Sequence, residues 1–248
     1  MRRLTLGLAI AVGLFSAPTF AAETTVAVAA NFTKPAEEIA AAFNAKTGDT
    51  VVLSFGATGS LYAQITQAAP FTVFLSADNK RPATAVKDGF GVDGTVFTYA
   101  VGKSVLYSPT IDVTDGEAVL KDGAFQHLAI ADPKAAPYGV AAIEALDKLG
   151  LTEAITPKIV TGESIAQALL FVDSANAELG FVALSQVVGR PAAQLWLVPT
   201  DFYSPIMQDA VLLKTGENDA VAKAFLEFLK GDEAHAIIEK YGYEVAER

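Results

Sequence analysis

The stretch LSFGATGSL, residues 53–61, decides how this chain folds. Residues 51–55 are mostly apolar and predict a buried strand, and the small residues from Gly56 to Ser60 predict a turn. Apolar residues at helical spacing follow, so the pattern is strand, turn, helix. A helix that begins in such a turn presents unpaired backbone N–H groups and the positive end of its dipole, which together favour an anion. An ordinary N-capped turn is the simpler interpretation of this stretch taken alone.

Units of the same kind recur along the chain and predict an α/β protein. We expect two lobes, because the long apolar segments 96–107 and 206–213 have the length of strands that cross between sheets. The predicted first lobe comprises residues 22–102 and 207–248, and the second lobe, inserted in the first, comprises residues 103–206. Residues 110–124 are rich in turn-forming residues and are expected to form a polar loop.

The composition excludes several classes of function. The chain has 248 residues, 52% of them hydrophobic, and a formal net charge of −10, which argues against binding to nucleic acid or to an anionic membrane surface. It has no cysteine, hence no disulfide, thiolate metal site or cysteine nucleophile. His127 and His235 lie far apart with no third partner, so structural roles are expected for both. A small anion is not excluded, because local dipoles act at close range.

Residues 1–21 have the pattern of a cleaved export signal. Arg2 and Arg3 precede the apolar run Leu4 to Phe15, and small residues ending at Ala21 form the expected cleavage site. The apolar run is short for a membrane span, and no later run reaches the required length of about 20 residues. We therefore expect an exported protein without a membrane anchor, located in the periplasm of a bacterium. Loss of two basic residues and no acidic one leaves the mature chain with a formal charge of −12.

Four strand-to-helix turns of similar character are predicted: residues 29–32, 56–59, 136–139 and 162–165. Ligands of open α/β sheets bind beyond the carboxyl ends of the strands, so two turns from each lobe are expected to line one cleft between the lobes. None of the four turns carries Lys, Arg or His. Neutral donors without acceptors suit a fully ionised oxyanion, which has no proton to donate.

Longer segments resemble the periplasmic molybdate-binding proteins of ABC transporters, the ModA family. They span nearly the whole chain after residue 21: VAVAANF (26–32), LSFGATGSL (53–61), LSAD (75–78), LAIADPKAAPYG (128–139), GESIAQAL (162–169), ELGFVALSQ (178–186), QDAVLL (208–213) and KYGYE (240–244). The resemblance implies the type II periplasmic-binding-protein fold, two hinged lobes with the ligand in the cleft between them. It also implies a monomeric protein without enzymatic activity or cofactor. Such a protein captures molybdate or tungstate and delivers it to a membrane-embedded permease.

The resemblance further implies which residues bind the oxyanion. A serine that is common in the family's first turn falls on Asn31, whose side-chain amide and backbone N–H still offer donors, and Ala30 adds a backbone N–H. The serine of the second turn falls on Thr58. The third and fourth turns contribute backbone N–H groups at Tyr138 and Ile165. The metal is bound only as its oxyanion, with no direct metal ligand.

One position departs from the family pattern. A tyrosine that often donates its hydroxyl from the last turn is replaced by Ala183, and we expect the phenol of Tyr138 to take its place. Simpler interpretations remain for two residues: Asn31 as a plain helix cap, and Tyr138 as a partly buried aromatic covering a turn.

Two other functions remain as alternatives. One is a secreted hydrolase that uses Ser60 or Ser164, for which the nearby sequence offers no base. The other is a protein of the same fold that binds another oxyanion or a small organic anion, such as a phosphonate. Those ligands usually require an arginine or an acidic partner in the cleft, and the four turns contain no arginine and a single acidic residue, Glu163.

Overall fold

The computed structural model describes residues 22–245, and the predicted export signal, residues 1–21, lies outside them. Strands and helices alternate along most of the described chain. The strands are β1 Glu23–Ala29, β2 Thr50–Gly56, β3 Val73–Leu75, β4 Phe97–Gly102, β5 Ser104–Tyr107, β6 Leu128–Ala131, β7 Ile159–Gly162, β8 Leu179–Ala183, β9 Leu195–Leu197 and β10 Ile206–Leu212. The α-helices are α1 Thr33–Thr47, α2 Thr58–Thr66, α3 Lys80–Lys87, α4 Gly116–Asp122, α5 Pro137–Lys148, α6 Thr152–Ile155, α7 Ile165–Asp173, α8 Leu184–Val187, α9 Ala220–Leu229 and α10 Asp232–Lys240.

These strands form two five-stranded sheets with the same topology. The first has the order β2-β1-β3-β10-β4 and the second the order β7-β6-β8-β5-β9. In the first sheet β1 pairs in parallel with β2 and β3, and β10 runs antiparallel to β3 and β4. In the second sheet β6 pairs in parallel with β7 and β8, and β5 runs antiparallel to β8 and β9. The predicted α/β class is therefore confirmed.

The chain passes between the sheets at the two predicted segments. Only Lys103 separates β4 of the first sheet from β5 of the second, so the long strand expected over residues 96–107 is two strands in different sheets. The strand β10 brings the chain back to the first sheet after β9. The end of the described chain reaches the first crossing, where the backbone N–H of Val101 donates to the carbonyl of Glu244 at 2.7 Å.

Both faces of the first sheet are buried. Val26 and Val28 of β1 point to one face, and Ala27 between them points to the other. Phe225 of α9 packs on the first face and Leu61 of α2 on the second, with each side chain at most 1% exposed. A sheet covered by helices on both faces buries strands whose residues are apolar throughout, as in this sequence.

One part of the second lobe differs from the prediction. Residues 110–124 contain α4, whose N-terminus is capped by Asp115 through a hydrogen bond from the Ala118 N–H at 3.0 Å. The loop prediction missed this helix because it is only seven residues long and turn-forming residues, Asp115 and Gly123, flank it. The helix α5 begins at Pro137, where the fixed φ of proline suits the first helical position.

No helix among residues 22–245 has the length and apolar character that crossing a membrane requires.

Candidate functional site

The five residues predicted to bind the oxyanion line one small cleft. Ala30 and Asn31 follow β1, Thr58 follows β2, Tyr138 opens the helix after β6, and Ile165 opens the helix after β7. The cleft is narrow and partly open, with about 10 Å³ of space for a water-sized molecule, and each of the five residues is at most 6% exposed. The parallel strands end at this cleft, which is why residues more than 100 positions apart in sequence meet there.

Four helix N-termini converge on the cleft. They belong to α2, α5, α7 and a short 3-10 segment, Ala30–Phe32, and the first N–H groups of each have no acceptor within the helix. No side chain caps α2, α5 or the 3-10 segment. The helix α7 does have a cap, because the Ser164 hydroxyl accepts from the Gln167 N–H at 3.3 Å, and this leaves the Ile165 N–H for another acceptor. The cleft is therefore electropositive through backbone dipoles alone.

The close approach of α5 to the cleft depends on Gly139. A Cβ at this position would lie 2.2 Å from the carbonyl oxygen of Ala131, at the end of β6. Any larger residue would push the first turn of α5 outward and move the Tyr138 N–H with it. The tertiary packing thus requires glycine here, although the helical pattern of α5 would tolerate alanine.

Thr58 has a hydroxyl that is oriented by the protein. Its Oγ1 accepts a hydrogen bond from the Ala77 N–H at 3.2 Å, and the residue is 1% exposed. Because the oxygen already accepts from the backbone, its own proton is available to donate into the cleft. A hydroxyl fixed in this way donates to a ligand with less loss of side-chain entropy than a free rotor.

The two lobes touch directly beside the cleft. The Gly59 N–H in the first turn of α2 donates to the Ala135 carbonyl of the second lobe at 2.8 Å. Arg81 donates to the Lys134 carbonyl at 3.3 Å and forms an ion pair with Asp78. The structure therefore has the closed arrangement of the lobes. The sequence analysis did not identify Arg81, because this cation lies at the rim of the cleft and outside the four turns. Asp78 balances its charge.

The side chains of Asn31 and Tyr138 are hydrogen-bonded within the protein, and the Tyr138 hydroxyl does not lie as predicted. Asn31 Nδ2 donates to Gln208 Oε1 at 2.8 Å and to Tyr243 Oη at 2.9 Å, so Asn31 is not a plain helix cap. The hydroxyl of Tyr138 lies 3.3 Å from Gln208 Nε2 and beside Gly102, and neither of these residues lines the cleft. The prediction that this phenol donates to the ion is corrected accordingly. The contribution left to Tyr138 is its backbone N–H.

Ala183, which stands where the family often has a tyrosine, is fully buried at the start of α8. Its N–H donates to Gln186 Oε1 at 3.0 Å. The side chain of Gln186 also donates to the Ile165 carbonyl at 3.2 Å and so ties α8 to α7. Ala183 itself offers no hydroxyl at this turn.

Behind the cleft lies a buried group of polar side chains, which we call the amide–tyrosine network. Burial raises the pKa of Tyr99 and of Tyr138, and it raises the pKa of Tyr243 to about 12. All three phenols therefore keep their protons at neutral pH and place no negative charge beside the cleft. Sequence reasoning assigned no role to four of these side chains, since only the tertiary fold brings them together. The members of the network are Asn31, Tyr99, Tyr138, Ser185, Gln208 and Tyr243.

The arrangement does not favour a hydrolase. Ser164 serves as the helix cap described above, and Ser60 is exposed on α2. Within residues 22–245 no group of three or more His, Cys, Asp or Glu side chains lies close enough to hold a metal ion. His127 is near a carboxylate, with its Nδ1 3.9 Å from Glu178, on a surface strand end away from the cleft.

Two sheets of shared topology, with a buried cleft of helix N-termini between them, define the class of hinged, two-lobed binding proteins. The family model described as "Bacterial extracellular solute-binding protein" matches residues 24–244. The molybdate-binding protein ModA of Rhodobacter capsulatus is 58% identical over 95% of this chain and 93% of its own length. ModA of Azotobacter vinelandii is 52% identical over 95% of each chain. The chain therefore belongs to the bacterial extracellular solute-binding proteins, and within them to the ModA family.

Solved structures agree with this assignment. The periplasmic molybdate-binding protein of Azotobacter vinelandii superposes with a TM-score of 0.85 at 40% identity, covering 90% of this chain and 100% of that chain. The sulfate-binding protein SubI of Mycobacterium tuberculosis has a TM-score of 0.70 at 15% identity, over 91% of this chain and 88% of its own, which shows a shared fold alone. Members of this family carry a solute outside the cytoplasm, so the chain is a binding protein and not an enzyme.

Proposed function

We propose that this protein captures molybdate or tungstate in the periplasm and delivers the ion to a membrane-embedded ABC permease. One observation carries the proposal: four uncapped or partly capped helix N-termini meet in a buried cleft whose lining contains no Lys, Arg or His. The relatives named for molybdate support the choice of ion.

The donors we propose are the backbone N–H groups of Ala30, Asn31, Tyr138 and Ile165, the Asn31 side chain, and the backbone N–H and hydroxyl of Thr58. Each hydrogen bond to a charged group contributes about 1.5–3 kcal/mol. Five to seven such bonds, less the costs of desolvation and closure, give a binding free energy of about −8 to −11 kcal/mol, that is, submicromolar affinity. The protein supplies no cofactor in this scheme, and the metal is contacted only through its oxygens.

The two proposed lobes comprise residues 22–102 with 207–248, and residues 103–206. The strand sets of the two sheets support this division, because β1 to β4 and β10 belong to one sheet and β5 to β9 to the other. Opening would separate Gly59 from Ala135 while the crossings at Lys103 and β10 act as the hinge.

We also propose that the protein is a monomer and that it is cleaved after Ala21. Light scattering would test the first proposal, and N-terminal sequencing of the exported protein would test the second.

Isothermal titration calorimetry of the purified mature protein tests the proposed ligand. Molybdate and tungstate should each bind with one ion per chain. Sulfate should bind far more weakly because it is smaller. Phosphate should also bind weakly, because at neutral pH it carries a proton for which the cleft provides donors but no ready acceptor. Absence of heat and of any shift in melting temperature with molybdate would reject the proposal. Tight binding of a phosphonate or small organic anion in its place would favour the alternative ligand class.

A further inference from the structure

The amide–tyrosine network is built from both lobes and meets the cleft at Asn31. Gln208 lies on the returning strand β10 and is fully buried, and Tyr138 contacts it from the second lobe. Tyr243, near the end of the described chain, contacts the Asn31 carbonyl and the Ser185 hydroxyl at 2.9 Å each. Most polar atoms of this network therefore have a hydrogen-bond partner within it, and the orientation of one side chain affects that of its neighbours.

In the arrangement of the structure, both protons of the Asn31 amide are used inside the protein, by Gln208 Oε1 and by Tyr243 Oη. The other end of the amide, its oxygen, has no hydrogen bond to the described protein. Asn31 is 3% exposed, and the surfaces it lines are the cleft and an adjoining pocket at Ala166 and Gln186. With its NH2 group used inside the protein, the Asn31 side chain has no donor left for an oxyanion in the cleft.

Rotating the Asn31 amide by itself does not make its NH2 group available to the cleft without a cost. If Asn31 alone turned by 180°, its oxygen would face Gln208 Oε1 across 2.8 Å, and two acceptors would oppose each other in a buried site. The two amides are therefore coupled, and the Asn31 amide can turn only when the Gln208 amide turns as well.

Rotating both amides gives every proton an acceptor at unchanged heavy-atom positions. Gln208 Nε2 then donates to the Asn31 oxygen at 2.8 Å and to Tyr99 Oη at 3.2 Å. Tyr138 donates its proton to the Gln208 oxygen, and Tyr99 donates to the Ser76 carbonyl at 3.0 Å. The raised pKa values of the phenols keep these protons in place.

The hydroxyl groups of Tyr243 and Ser185 also find acceptors in the rotated arrangement. Tyr243 donates to the Asn31 side-chain oxygen, and the Ser185 hydroxyl donates to the Asn31 carbonyl at 2.8 Å. The NH2 group of Asn31 is then free to face the cleft.

We propose that Gln208 is a positioning residue that holds the Asn31 amide with its NH2 group toward the bound oxyanion. The inference rests on the proposed function and deepens it: with both amides rotated, Asn31 offers the cleft a side-chain donor for an anion that carries no proton. Gln208 acts through Asn31 and does not touch the ion.

Nuclear magnetic resonance on the molybdate complex tests the orientation directly. In protein labelled with ¹⁵N, the Asn31 side-chain signal is assigned by its loss in Asn31→Asp, and the Gln208 signal by its loss in Gln208→Met. The proposal expects nuclear Overhauser effects between the Gln208 amide protons and the Tyr99 ring. Effects to the Tyr138 ring in their place, with molybdate bound, would overturn the inference while leaving the proposed function intact.

A double-mutant cycle in calorimetry tests the positioning role. Gln208→Met should weaken molybdate binding roughly 10-fold or more in the wild-type background, and less than about 2-fold in an Asn31→Ala background. The matched control is Gln194→Met, which removes a glutamine that donates to Pro109 far from the cleft and should leave affinity unchanged. Equal losses in both backgrounds would mean that Gln208 acts without Asn31, and would overturn the inference. If the wild-type protein gave no heat with molybdate, the proposed function and this inference would both fail.

Discussion

Replacing Ile165 by proline isolates the contribution of a single backbone N–H to binding. Ile165 is the first residue of α7, where an N–H has no acceptor within the helix and proline is well tolerated. The preceding residue, Ser164, has φ −142° and ψ 169°, the extended conformation that a residue before proline prefers. The substitution therefore removes one proposed donor while the helix and its Ser164 cap remain.

The expected loss follows from the charge of the ligand. A hydrogen bond to a charged group contributes about 1.5–3 kcal/mol, so Ile165→Pro should bind molybdate about 10- to 150-fold more weakly. Ile165 is also 3% exposed and packs in the core of the second lobe, so trimming it costs stability of its own. Ile165→Ala corrects for this cost, because it removes the side chain and keeps the N–H.

The assay is calorimetry with molybdate on both variants, accompanied by thermal unfolding without ligand. A further control is Ala220→Pro, at the exposed first position of α9, where Asp219 caps the next two N–H groups and Ala220 has no ligand to lose. It should bind as the wild type does. If Ile165→Pro bound molybdate as tightly as Ile165→Ala, the Ile165 N–H would not contact the ion, and the dipole argument for this turn would be refuted.

Four further predictions concern other parts of the molecule. Thr58→Val should weaken binding roughly 10-fold or more and Thr58→Ser should retain most of it, because only the serine keeps a hydroxyl that can donate; calorimetry would reveal equal affinities if the hydroxyl played no part. Gly59→Ala should favour the open form, since its Cβ would lie 3.1 Å from the Ala135 Cα; small-angle scattering should show a smaller decrease in radius of gyration with molybdate than in the wild type. Affinity should depend only weakly on sodium chloride between low and physiological concentrations, because the donors are buried dipoles, and a steep dependence would indicate a cationic side chain at the ion. Burial raises the pKa of Asp209 above its usual 3.8, and the nearby charge of Asp78 adds to the effect. The folded state therefore holds this proton to higher pH than the unfolded state does. The contribution of Asp209 to the free energy of unfolding falls as pH rises above 3.8. The melting temperature of Asp209→Asn should therefore exceed that of the wild type by a margin that grows from pH 4 to pH 7, and a constant margin would contradict the reasoning.

The sequence by itself determined the fold class, the family and the position of the turns that form the cleft. Strand and helix patterns depend on residues close together in the chain, so the strand–turn–helix unit at residues 53–61 could be read directly. The absence of cationic residues from the four turns is also a local property. It led to the prediction of an oxyanion site made of uncharged hydrogen-bond donors. Local patterns failed at α4, where a short helix depends on its Asp115 cap and on burial of one leucine.

The tertiary structure alone decided which side-chain atoms face the cleft. Asn31, Tyr138 and Gln208 are separated by 70 to 177 positions, and their contacts exist only because β10 returns beside β4 and the lobes close on each other. The phenol of Tyr138 therefore lies at the hinge, whereas its sequence position alone placed it equally well at the ligand. Hydrogen-bond direction in a buried network depends on all partners at once, and for this reason the orientation of Asn31 follows from the assembled fold and not from any single segment of the chain.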